Sequence, residues 1–513
     1  MNGAASLVKT MLASGVDVCF ANPGTSEMHF VAALDEHPDM RCILCLFEGG
    51  TSGAADGYFR MKGEIAATLL HLAPGFGNAW ANIHNARKAE SAMLNIVGDH
   101  ASYHLRYDSP LKGDVKGISE TISQWTRVSG DAASVAWDGA EAIRAARSKN
   151  GQITSLILPA NTAWEDADGA AVAAIPAIPH RPRQDEVDAV AKKLCQPGAA
   201  IVLGGRALHA PLSEIAGKIA AKSGCELLAD CLAPRISRGE GAIEIRTLPY
   251  VVEQNVEAHE NLSTIVLCGA GRPVCFFAYP DKPSVPQSAD CEIVDLCTPE
   301  MDYEWTLTAL MEALDAQNAV AHYRKLDLPA VATGAINLES LGQSLGALLP
   351  EGAIVTDESV TSGRNFNEFT QNARGHDWLK STGGAIGGGL PLAVGAAVAC
   401  PDRKVIALTG DGSAMYTLQS LWTMARERLD VVIVVFANRT YQILHGELVN
   451  VGVENAGRNA TSMFDMMDPD LDWVALAKGH GVDGARVETM EAFNVAFQQG
   501  VEIDGPFLIE VAC

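Results

Sequence analysis

The sequence predicts an α/β protein of three doubly wound, parallel-sheet domains. Short apolar runs end in glycine-rich or polar segments and are followed by helical stretches, an alternation typical of helices wound around a parallel sheet. Two polar segments that lack this alternation, Ala174–Arg183 and Leu326–Ala335, indicate linkers. A length of 513 residues suits three domains at roughly 100–200 residues each.

The predicted domains span residues 1–165, 186–325 and 336–513. Apolar runs predict their strands. The first domain has Val16–Phe20, Arg41–Phe47, Ile65–Leu70 and Ala92–Val97; the second has Ala200–Leu203, Thr264–Cys268 and Glu292–Leu296; the third has Ala353–Thr356, Val405–Thr409, Val431–Phe436 and Phe507–Val511. We expect turns after the first-domain strands, including Glu48-Gly49-Gly50 and Pro74–Asn78.

The composition excludes several classes of partner. With 62 acidic and 38 basic residues, the formal net charge is −24, so the surface repels phosphate backbones and anionic membranes and we expect no nucleic-acid partner. No stretch of 18 uninterrupted apolar residues is present, so we expect no membrane span. The twelve cysteines lie mostly in apolar runs without zinc-finger spacing, which favours reduced thiols and a cytoplasmic location.

In one βαβ unit of the third domain, polar residues follow both strands. Gly410-Asp411-Gly412-Ser413 follows the first strand, and Asn438 follows the second. Because parallel neighbouring strands end on the same edge of a sheet, we expect Asp411 and Asn438 to lie side by side. Carboxylate and amide oxygens suit Mg²⁺ or Ca²⁺. The glycines would let a phosphate approach, and a helix starting at about Ala414 would point its positive end there.

These residues resemble the thiamine-diphosphate motif, and the resemblance extends over the three predicted domains in order, as pyrimidine-binding, central and diphosphate-binding. It implies that Mg²⁺ is held by the side chains of Asp411 and Asn438 and by the carbonyl of Thr440. The usual motif ends in two asparagines, whereas here the first is Ala437. The remaining cofactor contacts that the resemblance implies are Gly24, Thr361, Ile386, Gly410, Gly412, Ser413, Met415 and Tyr441.

A second part of the resemblance concerns the activation of the cofactor. Taken alone, Glu48 at the end of an apolar run could be a solvent-exposed residue. The resemblance instead implies that Glu48 hydrogen-bonds the pyrimidine ring and starts proton transfer, while Ile386 wedges the cofactor into a bent shape, a role compatible with core packing. Glu48 and Asp411 lie in different domains, and the family builds its site between subunits. The resemblance therefore implies a homodimer or homotetramer with the active site at the subunit interface.

The substrate side of the predicted site lies in the first domain. His71 follows a strand, at the edge where α/β proteins bind ligands, and is either a proton shuttle or a structural histidine. Thr25 could bind a carboxylate at the same edge. The pattern is similar to benzoylformate decarboxylases, which carry a serine at the position of Thr25 and a histidine at that of His71; Leu444 also matches. Their second histidine, expected to protonate the intermediate, is missing here from residues 273–279.

Two activities follow from this pattern, both on a small 2-oxo acid. The first is non-oxidative decarboxylation with carboligase capability, like that of benzoylformate decarboxylase. The second is an acetolactate synthase-type condensation, with FAD on the central domain; Leu203–Arg206 offers a single Gly-Gly pair for it, so FAD is possible but not favoured. A third reading, an inactive cofactor-binding paralogue, is disfavoured by the intact Glu48, Asp411 and Asn438. The sequence determines neither the substrate side chain nor the choice between dimer and tetramer.

Overall fold

The chain folds into three mainly parallel sheets with helices between their strands. This architecture confirms the predicted fold class. The computed structural model describes all residues from 1 to 513. The first sheet is all parallel, with strand order β2-β1-β3-β4-β6-β5. Its strands are β1 (Val18–Ala21), β2 (Arg41–Leu44), β3 (Ala66–Leu70), β4 (Met93–Asp99), β5 (Trp125–Val128) and β6 (Ile153–Pro159). Its helices are α1 (Gly3–Ala13), α2 (Met28–Asp35), α3 (Glu48–Lys62), α4 (Leu72–Lys88), α5 (Val115–Glu120), α6 (Val135–Ala146) and α7 (Ala160–Trp164).

The second sheet has five parallel strands in the order β10-β8-β7-β11-β12. The strands of this part of the chain are β7 (Ala199–Leu203), β8 (Glu226–Ala229), β9 (Arg235–Arg238), β10 (Arg246–Thr247), β11 (Thr264–Cys268) and β12 (Glu292–Cys297). The helices are α8 (Gln184–Leu194), α9 (Leu212–Ser223), α10 (Val252–His259) and α11 (Tyr303–Ala313). β9 does not join this sheet but pairs with the third.

The third sheet has seven strands in the order β17-β18-β16-β15-β13-β14-β9. Its own strands, all parallel, are β13 (Ile354–Glu358), β14 (His376–Lys380), β15 (Val405–Gly410), β16 (Val431–Ala437), β17 (Asp483–Val487) and β18 (Phe507–Ala512). Its helices are α12 (Leu338–Leu348), α13 (Phe366–Thr370), α14 (Gly389–Ala399), α15 (Asp411–Ala414), α16 (Ser420–Glu427), α17 (Gln442–Asn450), α18 (Arg458–Phe464), α19 (Trp473–Gly479) and α20 (Met490–Glu502).

The third sheet is the common support of the molecule. One buried apolar core combines residues of the first and third parts of the chain, and another combines residues of the central and third parts. β9, from the central part, runs antiparallel to β14 and forms the edge of the third sheet. The helix contact between the first and third parts is very close, because a Cβ on Gly57 or Gly395 would clash with the backbone of the opposite helix, at Leu392 and Ala54 respectively.

The predicted strands are present, but some predicted turns are wrong. β2 ends at Leu44, and Glu48-Gly49-Gly50 forms the first turn of α3 rather than a strand-end loop. Pro74–Asn78 likewise lies inside α4. Glycine usually marks a turn, yet here glycines in α3 and α4 permit close packing against neighbouring elements. In the third domain a short helix begins at Asp411 itself, three residues before the predicted start.

No helix of the described chain is both long and apolar enough to cross a membrane. The segment 174–183, predicted to be a linker, contains no helix or strand, and neither does the segment 326–335.

The close contact of α3 with α14 predicts a large cost for a small substitution. Gly395→Ala should lower the free energy of unfolding by about 1–3 kcal/mol, because the new Cβ would clash with the carbonyl of Ala54. Gly446→Ala is the matched control: it lies in α17, where an added Cβ meets nothing within 4 Å, and should stabilise its helix by ~0.5–1 kcal/mol. Thermal unfolding followed by circular dichroism compares the two. Unchanged unfolding of the Gly395 variant would contradict the close contact.

Candidate active site

Two of the predicted metal ligands lie at the carboxyl edge of the third sheet, on neighbouring strands. β15 and β16 pair in parallel with Gly410 opposite Phe436, so Asp411 and Asn438 both follow this edge. The backbone N–H of Arg439 donates to Asp411 Oδ2 at 2.7 Å, which joins the two loops directly. Asn438 Oδ1 accepts from the N–H of Thr440 at 3.1 Å, which orients its amide.

The donor set at this edge fits a hard divalent cation. Asp411 is only 3% exposed, and burial raises the pKa of its carboxyl. Its hydrogen-bond donors are the backbone N–H groups of Gly412 and Arg439. The guanidinium of Arg439 does not bind Asp411 but pairs with Asp470 at 3.0 Å. The carbonyl of Thr440 accepts no protein hydrogen bond. A buried carboxylate without a cationic side chain, next to an amide oxygen and a free carbonyl, matches the oxygen ligands that Mg²⁺ takes in proteins.

Small residues and a tyrosine ring border the same loop. A Cβ on Gly412 would meet the Tyr441 ring, whereas a Cβ on Gly410 would meet nothing within 4 Å. Ser413 is buried and Met415 half-buried. Thr361 lies on a turn that follows β13, the strand next to β15, at the same edge. The lack of neighbours around Gly410 leaves the backbone at the start of α15 open to an approaching phosphate.

The loop that carries Ile386 is held by a helix of the first domain. Asn85 of α4 donates to the carbonyl of Ala385 at 2.8 Å, and Asn82 donates to that of Gly387 at 3.3 Å. Ile386 itself is half-buried and belongs to none of the buried apolar cores. Its side chain is thus available to contact a ligand, in addition to any packing role.

Glu48 is a buried carboxylate at the beginning of α3. It is 7% exposed, and Asn78 donates to its Oε2 at 3.0 Å. A Cβ built on Gly75 would lie 2.9 Å from Glu48 Oε1 and 3.3 Å from His71 Cβ. Glu48 and His71 therefore flank the same backbone position, so the structure brings these two predicted residues together.

His71 is held by a carboxylate that the sequence analysis did not single out. Glu27, 4% exposed, places Oε2 2.8 Å from His71 Nδ1 and accepts the backbone N–H of Gly24 at 2.8 Å. Ser26 also donates to Glu27. Gly24 packs directly against the imidazole. His71 thus has both a partner that orients it and a half-exposed position. Its position in the sequence, two residues after Thr25, was the available signal.

A cavity of about 330 Å³ opens beside His71. Thr25 and His71 both line it, together with two further histidines, His100 and His104, that the sequence analysis also missed. His100 Nε2 lies 3.1 Å from the hydroxyl of Ser109. The aromatic side chains Tyr103 and Trp164 complete an amphipathic wall. The arrangement could hold a small acid with an apolar substituent.

Glu48, Asp411 and Leu444 do not line this cavity. Glu48 and Asp411 share no hydrogen bond or common partner within one chain. Phe276 lies against the Ile386 loop, where its ring would be 2.7 Å from a Cβ on Gly384. Leu444, on α17, is 37% exposed.

Residues 1–124 match the family described as "Thiamine pyrophosphate enzyme, N-terminal TPP binding domain", and residues 360–511 match "Thiamine pyrophosphate enzyme, C-terminal TPP binding domain". The chain is 45% identical to "Putative acetolactate synthase large subunit IlvX" of Mycobacterium tuberculosis, covering 100% of this chain and 99% of that protein. It is 27% identical to benzoylformate decarboxylase of Pseudomonas aeruginosa, covering 97% and 96%. In fold it is similar to Rhodococcus jostii RHA1 4-hydroxybenzoylformate decarboxylase, with a TM-score of 0.86 and 24% identity, covering 100% and 99%.

Proposed function

The chain belongs to the thiamine pyrophosphate enzyme family, and from this premise we propose that it is a magnesium-dependent, non-oxidative decarboxylase of a 2-oxo acid with carboligase capability. Membership confirms the resemblance that the residues around Asp411 indicated. The observation that carries the finer proposal is the convergence of Glu48 and His71 on Gly75, beside a cavity that could hold a 2-oxo acid.

In this proposal the third domain holds the cofactor. Asp411, Asn438 and the carbonyl of Thr440 bind Mg²⁺, which neutralises the diphosphate in a protein of net charge −24. When bound, thiamine diphosphate supplies the electron sink that accepts the electrons released with CO₂. The remaining cofactor contacts are proposed for Gly24, Thr361, Ile386, Gly410, Gly412, Ser413, Met415 and Tyr441.

The first domain would supply the proton chemistry. Glu48 is buried and receives one side-chain hydrogen bond, from Asn78, so its Oε1 is free to hold or move a proton at the cofactor. His71 would move protons at the substrate, and its contact with Glu27 fixes the ring so that Nε2 faces away from that carboxylate. Thr25, exposed in the cavity, would orient the substrate carboxylate.

The histidine missing from residues 273–279 has possible replacements within the same cavity. His100 and His104 both line it, and their rings lie 5.6 Å apart. Either imidazole could return the proton after CO₂ leaves, a role that needs only a donor within reach of the reacting carbon. Their presence supports the decarboxylase, because the cavity then contains a proton donor even without a histidine in residues 273–279.

The subunit arrangement is also part of the proposal. Glu48 and Asp411 have no common hydrogen-bond partner within the chain. An active site that needs both would be completed if the first domain of one subunit faces the third domain of another. We propose this arrangement, a homodimer or homotetramer with sites at the subunit interface, on the ground of membership in the family.

An acetolactate synthase-type carboligase is the second candidate, supported by the name of the Mycobacterium tuberculosis relative. In the central sheet the strand order changes direction between β7 and β11, the position where a dinucleotide such as FAD would lie. There Gly204 and Gly269 touch, since a Cβ on Gly204 would clash with the carbonyl of Gly269. The decarboxylase is nevertheless preferred, because Glu48 and His71 meet beside a cavity in the first part of the chain.

Product analysis separates the two activities. With thiamine diphosphate and Mg²⁺, a panel of 2-oxo acids that includes pyruvate and benzoylformate should yield CO₂ and the matching aldehyde in equal amounts for at least one substrate. Omission of the cofactor is the control. Acetolactate as the main product from pyruvate would instead establish the synthase, and no CO₂ from any acid would contradict both.

Removal of the Glu48 carboxylate should nearly abolish turnover of the best substrate from that panel. Glu48→Ala is expected to lower kcat by at least about 100-fold, because a positioned proton-transfer group contributes roughly 10²–10⁴-fold. Glu64→Ala, at an exposed position near the end of the same helix, is the control and should retain activity. Circular dichroism should show both variants folded. A folded Glu48→Ala enzyme with full kcat would refute the role.

Metal binding is tested at Asp411. Asp411→Asn keeps the shape but removes the charge, and should weaken Mg²⁺-dependent binding of thiamine diphosphate by at least about tenfold, measured by isothermal titration calorimetry. Asp504→Asn, exposed and remote from the loop, should bind as the unmodified protein does. Chelation of Mg²⁺ by EDTA should abolish binding in all of them. Equal affinity of the two variants would show that Asp411 is not a ligand.

A further inference from the structure

A second polar cavity, of about 200 Å³, lies between the central part of the chain and the third domain. Three arginines from different segments line it: Arg238 at the end of β9, Arg246 in β10 and Arg324 shortly before the second linker. Asn367 and Gln371, from α13 and the residue after it, contribute amides. Such a concentration of positive charge is unexpected in a chain that has 62 acidic and 38 basic residues.

Arg238 is the central feature of this cavity. Its side chain belongs to a residue that is 8% exposed, and the guanidinium lies over the Trp378 ring, 4.8 Å from its centroid. Burial lowers its pKa to about 10. It donates one hydrogen bond, to the carbonyl of Asn367 at 2.7 Å, and forms no ion pair. Since a guanidinium has five N–H donors, most of them have no protein acceptor.

Arg324 increases the imbalance of charge. It is half-buried, its positive charge contributes to the lowered pKa of Arg238, and its guanidinium makes no hydrogen bond or ion pair. Arg246 differs, because it pairs with Glu226 at 2.7 Å in an exposed position. A buried charge without a partner is costly, and natural proteins rarely leave one unpaired. The charge of Asp357 acts on Arg238, but neither Arg238 nor Arg324 forms an ion pair with a carboxylate, so both guanidiniums keep N–H donors that an anion can accept.

We propose that this cavity, here called the arginine cavity (lined by Arg238, Arg246 and Arg324), binds the phosphate group of a small molecule. Guanidinium groups recognise phosphate through paired N–H donors. A tetrahedral phosphate presents oxygens in several directions, which suits donors that converge from three chain segments better than a planar carboxylate does. The hydroxyls of Ser237 and Thr247 and the two amides add neutral hydrogen-bonding groups.

The arginine cavity is separate from the candidate active site. In the antiparallel pairing of β9 with β14, Arg238 stands opposite His376, the first residue of β14. The cavity therefore lies at the amino end of the parallel strands, whereas Asp411 follows their carboxyl end. The two are nevertheless connected: the Trp378 indole donates to Asp357 at 3.1 Å, and Asp357 accepts the N–H of Ser359 at 3.1 Å, in the turn that contains Thr361. A phosphate bound at Arg238 would therefore lie next to Trp378, which is linked through Asp357 to the turn that carries Thr361, a proposed cofactor contact.

Calorimetric titration of the protein tests the proposal, with the protein saturated with thiamine diphosphate and Mg²⁺ so that the cofactor site is occupied. Inorganic phosphate and ADP are the probes, in a buffer free of other phosphates. At least one should bind saturably. Binding of both would indicate that free phosphate suffices, and binding of ADP alone that a phosphate ester is needed; either result supports the site.

Variants locate the binding. Arg238 is buried, and its replacement could unfold the protein, so Arg324→Gln is the main test: loss of one charge-assisted partner should weaken the affinity at least tenfold. Arg183→Gln is the control, since Arg183 is exposed and remote from the cavity, and should leave the affinity unchanged. No saturable binding of either probe, or equal affinities for the unmodified protein and Arg324→Gln, would overturn the proposal. The result is independent of whether the enzyme decarboxylates 2-oxo acids.

Discussion

The parallel pairing of β15 with β16 is the constraint on which the candidate active site depends. It brings Asp411 and Asn438, far apart in sequence, to the same edge of the third sheet, and the hydrogen bond from the Arg439 N–H to Asp411 holds the two loops together. A shift of one residue in this pairing would send the two side chains to opposite faces. The buried strands on both sides of the pair make such a shift costly, so the rigid sheet positions the oxygen donors before any ligand arrives.

Buried carboxylates that pair with neither lysine nor arginine are the common element of the site. Glu27, Glu48 and Asp411 are each less than a tenth exposed, and none of them pairs with lysine or arginine. A carboxylate neutralised by a salt bridge would be poorly available to a metal ion or to a proton. Neutral N–H donors orient it while leaving its charge to act on a ligand. The glycines at positions 24 and 75 allow the imidazole of His71 and these carboxylates to approach the backbone closely.

Of the ten non-glycine residues with a left-handed backbone conformation, three lie beside residues of the candidate site. Leu72, Val360 and Arg439 have φ values of 51°, 50° and 58°, in the left-handed region that branched and long side chains avoid. They are the immediate neighbours of His71, Thr361 and Asn438. Strained residues of this kind persist where the surrounding structure holds them, and they are frequent at functional sites.

Local pattern in the sequence determined the α/β class with three parallel sheets, most strands and the motif from Gly410 to Thr440. Strand hydrophobicity and a short βαβ unit depend on residues that are close together in the chain. Glycine signals misled where a glycine serves packing. Glu48 begins a helix, and its next residue, Gly49, lies so close to the Phe47 ring and the carbonyl of Asn78 that a Cβ would not fit. Tertiary structure alone decided the contact of Glu27 with His71, the hydrogen bond from Asn78 to Glu48 and the transfer of β9 to the third sheet. It also decided the meeting of Arg238 with Arg324. Such pairs are 30 to 142 residues apart or belong to different domains, so they arise only when whole elements pack. Neither residue of a pair lies in a sequence pattern that indicates the other.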